Sequence, residues 1–162
     1  MRLKDKIAII TGGGSGIGLS TAHAFCKEGA KVVLFGRQKD KLEKAAEEIG
    51  SFALPIQGDM IKNDDLDRLI NETLDNFKGI DILVNNAGVF NGAPLHEISD
   101  SQWDTLMDIN IRSVFQLTKR VLPVMMTQKK GSIIHISSIR GLIAVPQVAA
   151  YNVSKGALNQ FS

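Results

Sequence analysis

Short, mainly apolar runs alternate along this chain with longer amphipathic stretches, and that alternation constrains the fold more than any other feature. The first run, Ile7-Ala8-Ile9-Ile10, contains no polar side chain and leads into glycines. A strand apolar on both sides must be covered on both faces, as in a parallel sheet packed between helices. The runs at 31–35, 80–84 and 132–136 are likewise mainly apolar, with Lys31, Asp81, Ser132 and His135 as their polar members. Between them helices are expected over 17–28, 39–49 and 63–77. The second carries Leu42, Ala45, Ala46 and Ile49 on one stripe, and the third Leu66, Leu69, Ile70, Leu74 and Phe77. Gly29 and Gly50 stand where glycines close helices. A weaker strand at 52–57 is interrupted by Pro55, which lacks a ladder donor and so belongs at a sheet edge. A long helix is expected over 101–128, perturbed at Pro123, and the segment at Tyr151 opens another. Strict alternation of this kind specifies an α/β domain: a doubly wound parallel sheet ordered 3-2-1-4-5 with right-handed crossovers. Residues 1–162 read as a single domain.

Composition narrows the function classes. Nineteen basic and 17 acidic residues give a net charge of +2, with the two signs interspersed. Nothing there forms the basic face that nucleic acid requires. The one cysteine, Cys26, cannot make an internal disulfide, which points to a reducing compartment and a packed thiol. Met1 to Lys6 run into only a short apolar stretch, and no apolar run approaches the ~20 residues that span a bilayer. No membrane contact and a cytoplasmic location are the expectation. His23 and His96 have no acid or cysteine at ligand spacing, so no metal is expected. His135, inside the fifth strand, reads as a packed, hydrogen-bonded histidine.

The chemistry lies at the strand ends. Thr11-Gly12-Gly13-Gly14-Ser15-Gly16-Ile17-Gly18 joins the first strand to the first helix. Glycines there let the backbone turn tightly and approach a pyrophosphate, whose charge the free amides of the helix N-terminus attract. The spacing fits G-x-x-x-G-x-G on Gly12, Gly16 and Gly18 rather than G-x-G-x-x-G; a purely structural turn is the alternative. At the end of the second strand, where an acid would bind the adenosine ribose hydroxyls, stand Gly36 and Arg37. A guanidinium there can pair with a 2′-phosphate, favouring NADP(H) over NAD(H); a solvated surface arginine is the alternative. Asp59 follows the third strand and suits either an adenine amino group or a local turn. Asn85, Asn86 and Gly88 follow the fourth. Thr11, Gly36, Asp59, Asn86 and Ser138 all fall at C-terminal strand ends, the edge at which open α/β sheets bind ligands.

Tyr151 and Lys155, four residues apart, share one helix face. An ammonium beside a phenol favours the phenolate, and Ser138, thirteen residues earlier, can polarise a carbonyl. This is equipment for moving a proton to or from an alcohol oxygen.

Together these residues resemble the short-chain dehydrogenase/reductase family and its Rossmann-type fold. The likeness spans essentially the whole chain: the glycine turn, Asp59, Asn85-Asn86-Ala87-Gly88, Asn110, Ser138 and Tyr151-x-x-x-Lys155. Val153 is a mild departure, since alanine is common there. The resemblance implies Tyr151 as general acid/base and Lys155 as its partner and the holder of the nicotinamide ribose. It further implies Ser138 as the ligand of the substrate oxygen and Asn110 as the anchor of a water linked to Lys155. It also implies cofactor contacts from Thr11, Gly12, Ser15, Gly16, Ile17, Gly18, Arg37, Asp59, Met60, Asn86, Ala87 and Gly88. The expected activity is hydride exchange between a nicotinamide cofactor and an alcohol or ketone group of a small substrate. A homo-oligomer through the helices at 101–128 and Tyr151 is expected. Similar proteins continue past the Tyr-Lys helix with two more strands and a segment over the substrate, so truncation at the C-terminus is expected too. The alternative is a catalytically impaired nucleotide-binding fragment that acts through association.

Overall fold

A computed structural model describes residues 1–161. Five parallel strands form one sheet: β1 (Ile7–Thr11), β2 (Lys31–Gly36), β3 (Ala53–Gln57), β4 (Ile82–Asn85) and β5 (Ser132–His135). Their order is β3-β2-β1-β4-β5, so Pro55 does lie in an edge strand. Side chains of successive strand residues point to opposite faces, and the core divides accordingly. Ala8, Ile10, Val32, Leu34 and Val84 pack on one face with Ala22 of α1 (Gly16–Lys27) and Leu42 and Ala45 of α2 (Lys39–Ile49). Ile9, Val33, Phe35 and Leu83 pack on the other with Leu66 and Leu69 of α3 (Asn63–Phe77), joined by Leu117 and Val121. Continuous apolar runs are what a strand covered twice requires.

The expected long helix is divided. α4 (Asp100–Met107) passes through a π-helical turn, Asp108–Arg112, into α5 (Ser113–Gln128), which contains Pro123. The physical reason lies in tertiary bonding at Asn110, described below. α6 (Ala149–Asn159) carries Tyr151 and Lys155. His135 behaves as read from sequence: its Nδ1 lies 3.1 Å from the Asn85 amide nitrogen and its ring meets the Phe161 edge. Burial pushes its pKa down, disfavouring the charged ring. Cys26 is half-buried, and burial pushes its thiol up to about 11, the character of a packed group. Among the described residues no helix is long and apolar enough to cross a membrane.

The end of the sheet opposite the glycine turn is held by Asp81. Its backbone bonds both neighbours, donating to Ile7 O at 2.8 Å and accepting from Ser132 N at 2.9 Å. Its carboxylate accepts from Ile7 N at 3.0 Å and pairs with the Lys130 ammonium at 2.9 Å. Burial alone would raise this carboxyl, but the Lys130 ammonium and the Ile7 N–H together hold it below the usual range.

Candidate active site

A cleft of about 350 Å³ opens at the C-terminal edge of the sheet. Gly12, Gly14 and Ser15 line it from the first turn, Gly36 and Arg37 from β2, Asp59 and Met60 from β3, and Asn86, Ala87 and Gly88 from β4. Residues scattered over the first 88 positions therefore meet in one place, because every parallel strand delivers its C-terminal end to the same edge.

The glycine turn is shaped by close backbone approach. Gly12 has φ +65°, and a Cβ there would stand 2.9 Å from the Asn86 amide nitrogen. A Cβ on Gly18 would strike the Gly12 carbonyl oxygen. The two segments are also bonded to each other, since Asn86 Nδ2 donates to Thr11 O at 2.9 Å. Ser15 caps α1 in extended conformation and its side chain makes no cap bond there, leaving the helix N-terminus facing the cleft. This is the cradle a pyrophosphate fits.

Four of the expected cofactor contacts, Thr11, Gly16, Ile17 and Gly18, stand off the cleft lining. Thr11 is fully buried, and its hydroxyl accepts from Asn86 N at 3.0 Å and Ala87 N at 2.9 Å. It acts on the turn after β4 rather than on the cleft. Ile17 is exposed and, like Gly16 and Gly18, does not line the cleft; the two glycines serve the turn's geometry. Met60 sits at the cleft floor with its side chain in the core beside Leu66 and Phe35. Asp59 lines the cleft, and its Oδ1 accepts from Ile61 N at 3.2 Å in a local turn. Arg37 is exposed at the rim, between the main cleft and an adjoining hollow of about 310 Å³ that also reaches Lys62. Gln38 and Lys41, which the motif reading passed over, stand beside it on the main cleft wall.

Asn110 explains the π-helical turn. This buried side chain accepts from Val89 N at 2.8 Å and donates to Val89 O at 3.0 Å and Ser154 Oγ at 3.1 Å. An extra residue in one helical turn aims it at both partners, and π-turns of this kind recur at functional sites. Ser154 in turn donates to Tyr151 O at 2.9 Å. One continuous network therefore joins the turn after β4 to the helix of Tyr151 and Lys155. Ser154 was not singled out from the sequence; the only signal was a small polar residue within the Tyr-Lys motif.

Lys155 is buried, and its ammonium donates to Ile136 O at 2.6 Å. Burial lowers its pKa. It lies 5.7 Å from the Tyr151 ring centre, and a Cβ on Gly88 would come within 3.8 Å of it. That proximity brings α6 to the cleft. The two serines after β5 divide their work. Ser137 Oγ donates to Lys155 O at 2.9 Å and so fixes the helix. Ser138 begins the 3-10 turn Ile139–Gly141, its Oγ accepting from Arg140 N at 3.2 Å, which leaves its hydroxyl proton available to a ligand. Among the described residues no group of three His, Cys, Asp or Glu side chains could hold a metal ion.

Comparison with known proteins agrees with this geometry. The short chain dehydrogenase family model matches residues 6–162. An uncharacterized oxidoreductase of Staphylococcus aureus is 37% identical over 158 residues, 97% of this chain and 68% of its own length. A Staphylococcus epidermidis oxidoreductase, likewise uncharacterized, is 31% identical over 98% of this chain and 69% of its own. Among solved structures, the 3-ketoacyl-(acyl-carrier-protein) reductase from Brucella melitensis, complexed with NADH, superposes with a TM-score of 0.95 at 34% identity. A short chain dehydrogenase from Bacillus anthracis superposes with a TM-score of 0.93 at 32% identity. Each of the two structures is covered over 68% of its chain. The sheet order, the cradle at its C-terminal edge and these matches carry one conclusion: this chain belongs to the short-chain dehydrogenase family of oxidoreductases.

Proposed function

We propose that the protein exchanges a hydride between a nicotinamide cofactor, NADP(H) in preference to NAD(H), and an alcohol or ketone carbon of a small substrate. The observation that carries this reading is the junction at Gly88. There Gly88 lines the cleft that starts at the glycine cradle, and a Cβ on it would come within 3.8 Å of the Lys155 ammonium, on the helix that also carries Tyr151. The residues fit a dinucleotide: a glycine-rich cradle for the pyrophosphate, and a guanidinium rather than an acid directly after β2 for a 2′-phosphate.

When bound, the reduced cofactor supplies the hydride that the carbonyl carbon accepts. The protein handles the oxygen. Ser138 donates a hydrogen bond to it and Tyr151 delivers the proton that completes the alcohol. Lys155 counters the charge left on the Tyr151 oxygen and holds the ribose. Asn110 keeps the turn at Val89 and the helix at Ser154 in register, so that these groups meet at fixed distances. Alcohol oxidation runs the same steps backwards, with Tyr151 as base.

Tyr151→Phe tests the assignment. General acid–base catalysis contributes about 10²–10⁴-fold, so turnover should fall by at least the lower figure while NADPH affinity is retained. Activity within threefold of the parent would refute the role. Cofactor binding with no turnover by the parent, over a broad carbonyl panel, would favour a nucleotide-binding protein that is not an enzyme.

A further inference from the structure

Beside the acid/base assignment, the approach to Tyr151 is apolar. Phe90 follows the β4 turn, and its ring meets the Tyr151 ring edge-on with centres 5.0 Å apart, yet 64% of its surface is exposed. Its exposed ring is nevertheless held in place. A Cβ on Gly92 would stand 3.1 Å from Gln147 O and 3.2 Å from Val148 Cγ1. Ala93 pairs with Val148 in an isolated parallel bridge one residue before α6 begins. The loop carrying Phe90 is therefore fastened to the N-terminus of the helix that carries Tyr151.

A second segment is fastened to the same helix. Asn159 Nδ2 donates to Gly141 O at 3.1 Å, and Asn152 Nδ2 donates to Val145 O at 3.0 Å. This segment follows Ser138 and exposes Ile139, Leu142 and Ile143, with Leu142 at 79%. Between Ser138 and Tyr151 the only charged residue is Arg140, and between Gly88 and Leu95 there is none. The Phe90 loop, in contact with Tyr151, and the segment after Ser138 thus expose methyl and ring surface, with Arg140 as their one charged side chain.

We propose that the substrate is a hydrophobic ketone or secondary alcohol whose alkyl or aryl flank packs on Phe90, making Phe90 a specificity-determining residue. The proposal rests on the reading of Tyr151 as the proton donor, because it is contact with that ring that ties the apolar surface to the chemistry. Polyhydroxylated ketones would find few partners on this apolar surface and would lose water there without compensation.

The test uses a homologous series of linear methyl ketones, with ketoses of matched length, reduced by the protein in saturating NADPH. Each buried methylene is worth about three- to fourfold, so kcat/KM should climb by about that factor per carbon over the first several members. Phe90→Ser should flatten the climb and leave NADPH affinity unchanged within twofold. A flat series, a preference for ketoses, or a climb unaltered in Phe90→Ser would overturn the proposal. Calorimetric binding of the same ketones to the NADPH-loaded protein separates this inference from the catalytic reading. Affinity rising along the series without turnover would support the apolar site and sink the oxidoreductase assignment. Turnover with flat affinity and flat kcat/KM would do the reverse.

Discussion

The proposed preference for NADPH rests at the scale of one residue, Arg37. It stands directly after β2 on the cleft wall, where a carboxylate would accept hydrogen bonds from ribose hydroxyls and repel a phosphate. Arg37→Asp should therefore reverse the preference, weakening NADPH by about tenfold or more, as expected for loss of a charge-assisted phosphate contact worth about 1.5–3 kcal/mol. Affinities for NADPH and NADH in parent and variant check this. Equal or better binding of NADH by the parent would show that Arg37 is a solvated surface arginine. The same residue marks how far sequence reading reaches at this scale. Arg37, Asp59 and Asn86 were legible because each follows an apolar run that had to be a strand, and strand ends converge. The bonds of the Thr11 hydroxyl to Asn86 and Ala87, some 75 positions away, had no signal in the sequence. Only the folded chain shows that pairing.

Among the elements, α2 and α3 fall where their periodicity places them, at Lys39–Ile49 and Asn63–Phe77. Local signals suffice there: an apolar stripe in each, and Gly50 at φ +83° closing the first. The break between α4 and α5 has no local signal. Apolar residues continue through 106, 109, 114 and 117 as in one helix, and Pro123 was the only residue that predicted a disturbance. What turns the chain at Asp108–Arg112 is Asn110 reaching Val89 and Ser154, on two different segments. Ser154 is a positioning residue of this network: Ser154→Ala leaves Asn110 Nδ2 without that acceptor and frees the Tyr151 end of α6. The expected result is a fall in kcat of about tenfold, with NADPH affinity nearly unchanged, since loss of one buried hydrogen bond costs about 0.5–1.5 kcal/mol or somewhat more when a partner is stranded. Ser154→Thr, which keeps the hydroxyl, should recover part of the rate. An unchanged kcat in Ser154→Ala would mean that the network is not needed to align the two helices.

For the whole molecule, the sheet has a chemical end and a structural end. Asp81 anchors the latter, joining β1, β4 and β5 and pairing with Lys130. Its folded pKa lies below the unfolded value of about 3.9. The stability it contributes is therefore fully present above that value and is lost as the pH falls through the lower folded pKa. Asp81→Asn should lower stability at pH 7 by about 1–3 kcal/mol and remove part of the acid-induced loss below pH ~4, read as thermal midpoints across pH. A variant with the parent's midpoint at pH 7 would show that the Lys130 pair contributes nothing net. The chemical end carries the central claim, that the cleft and α6 together transfer hydride to a substrate carbon. The most direct measurement supplies NADPH deuterated at the transferable position of its nicotinamide together with a hydrophobic methyl ketone, and locates the label by mass spectrometry and NMR. The account predicts one deuterium on the carbinol carbon of the alcohol formed, with the hydroxyl proton drawn from solvent. Alcohol formed without deuterium at that carbon, or no alcohol from any member of the ketone series, would contradict it.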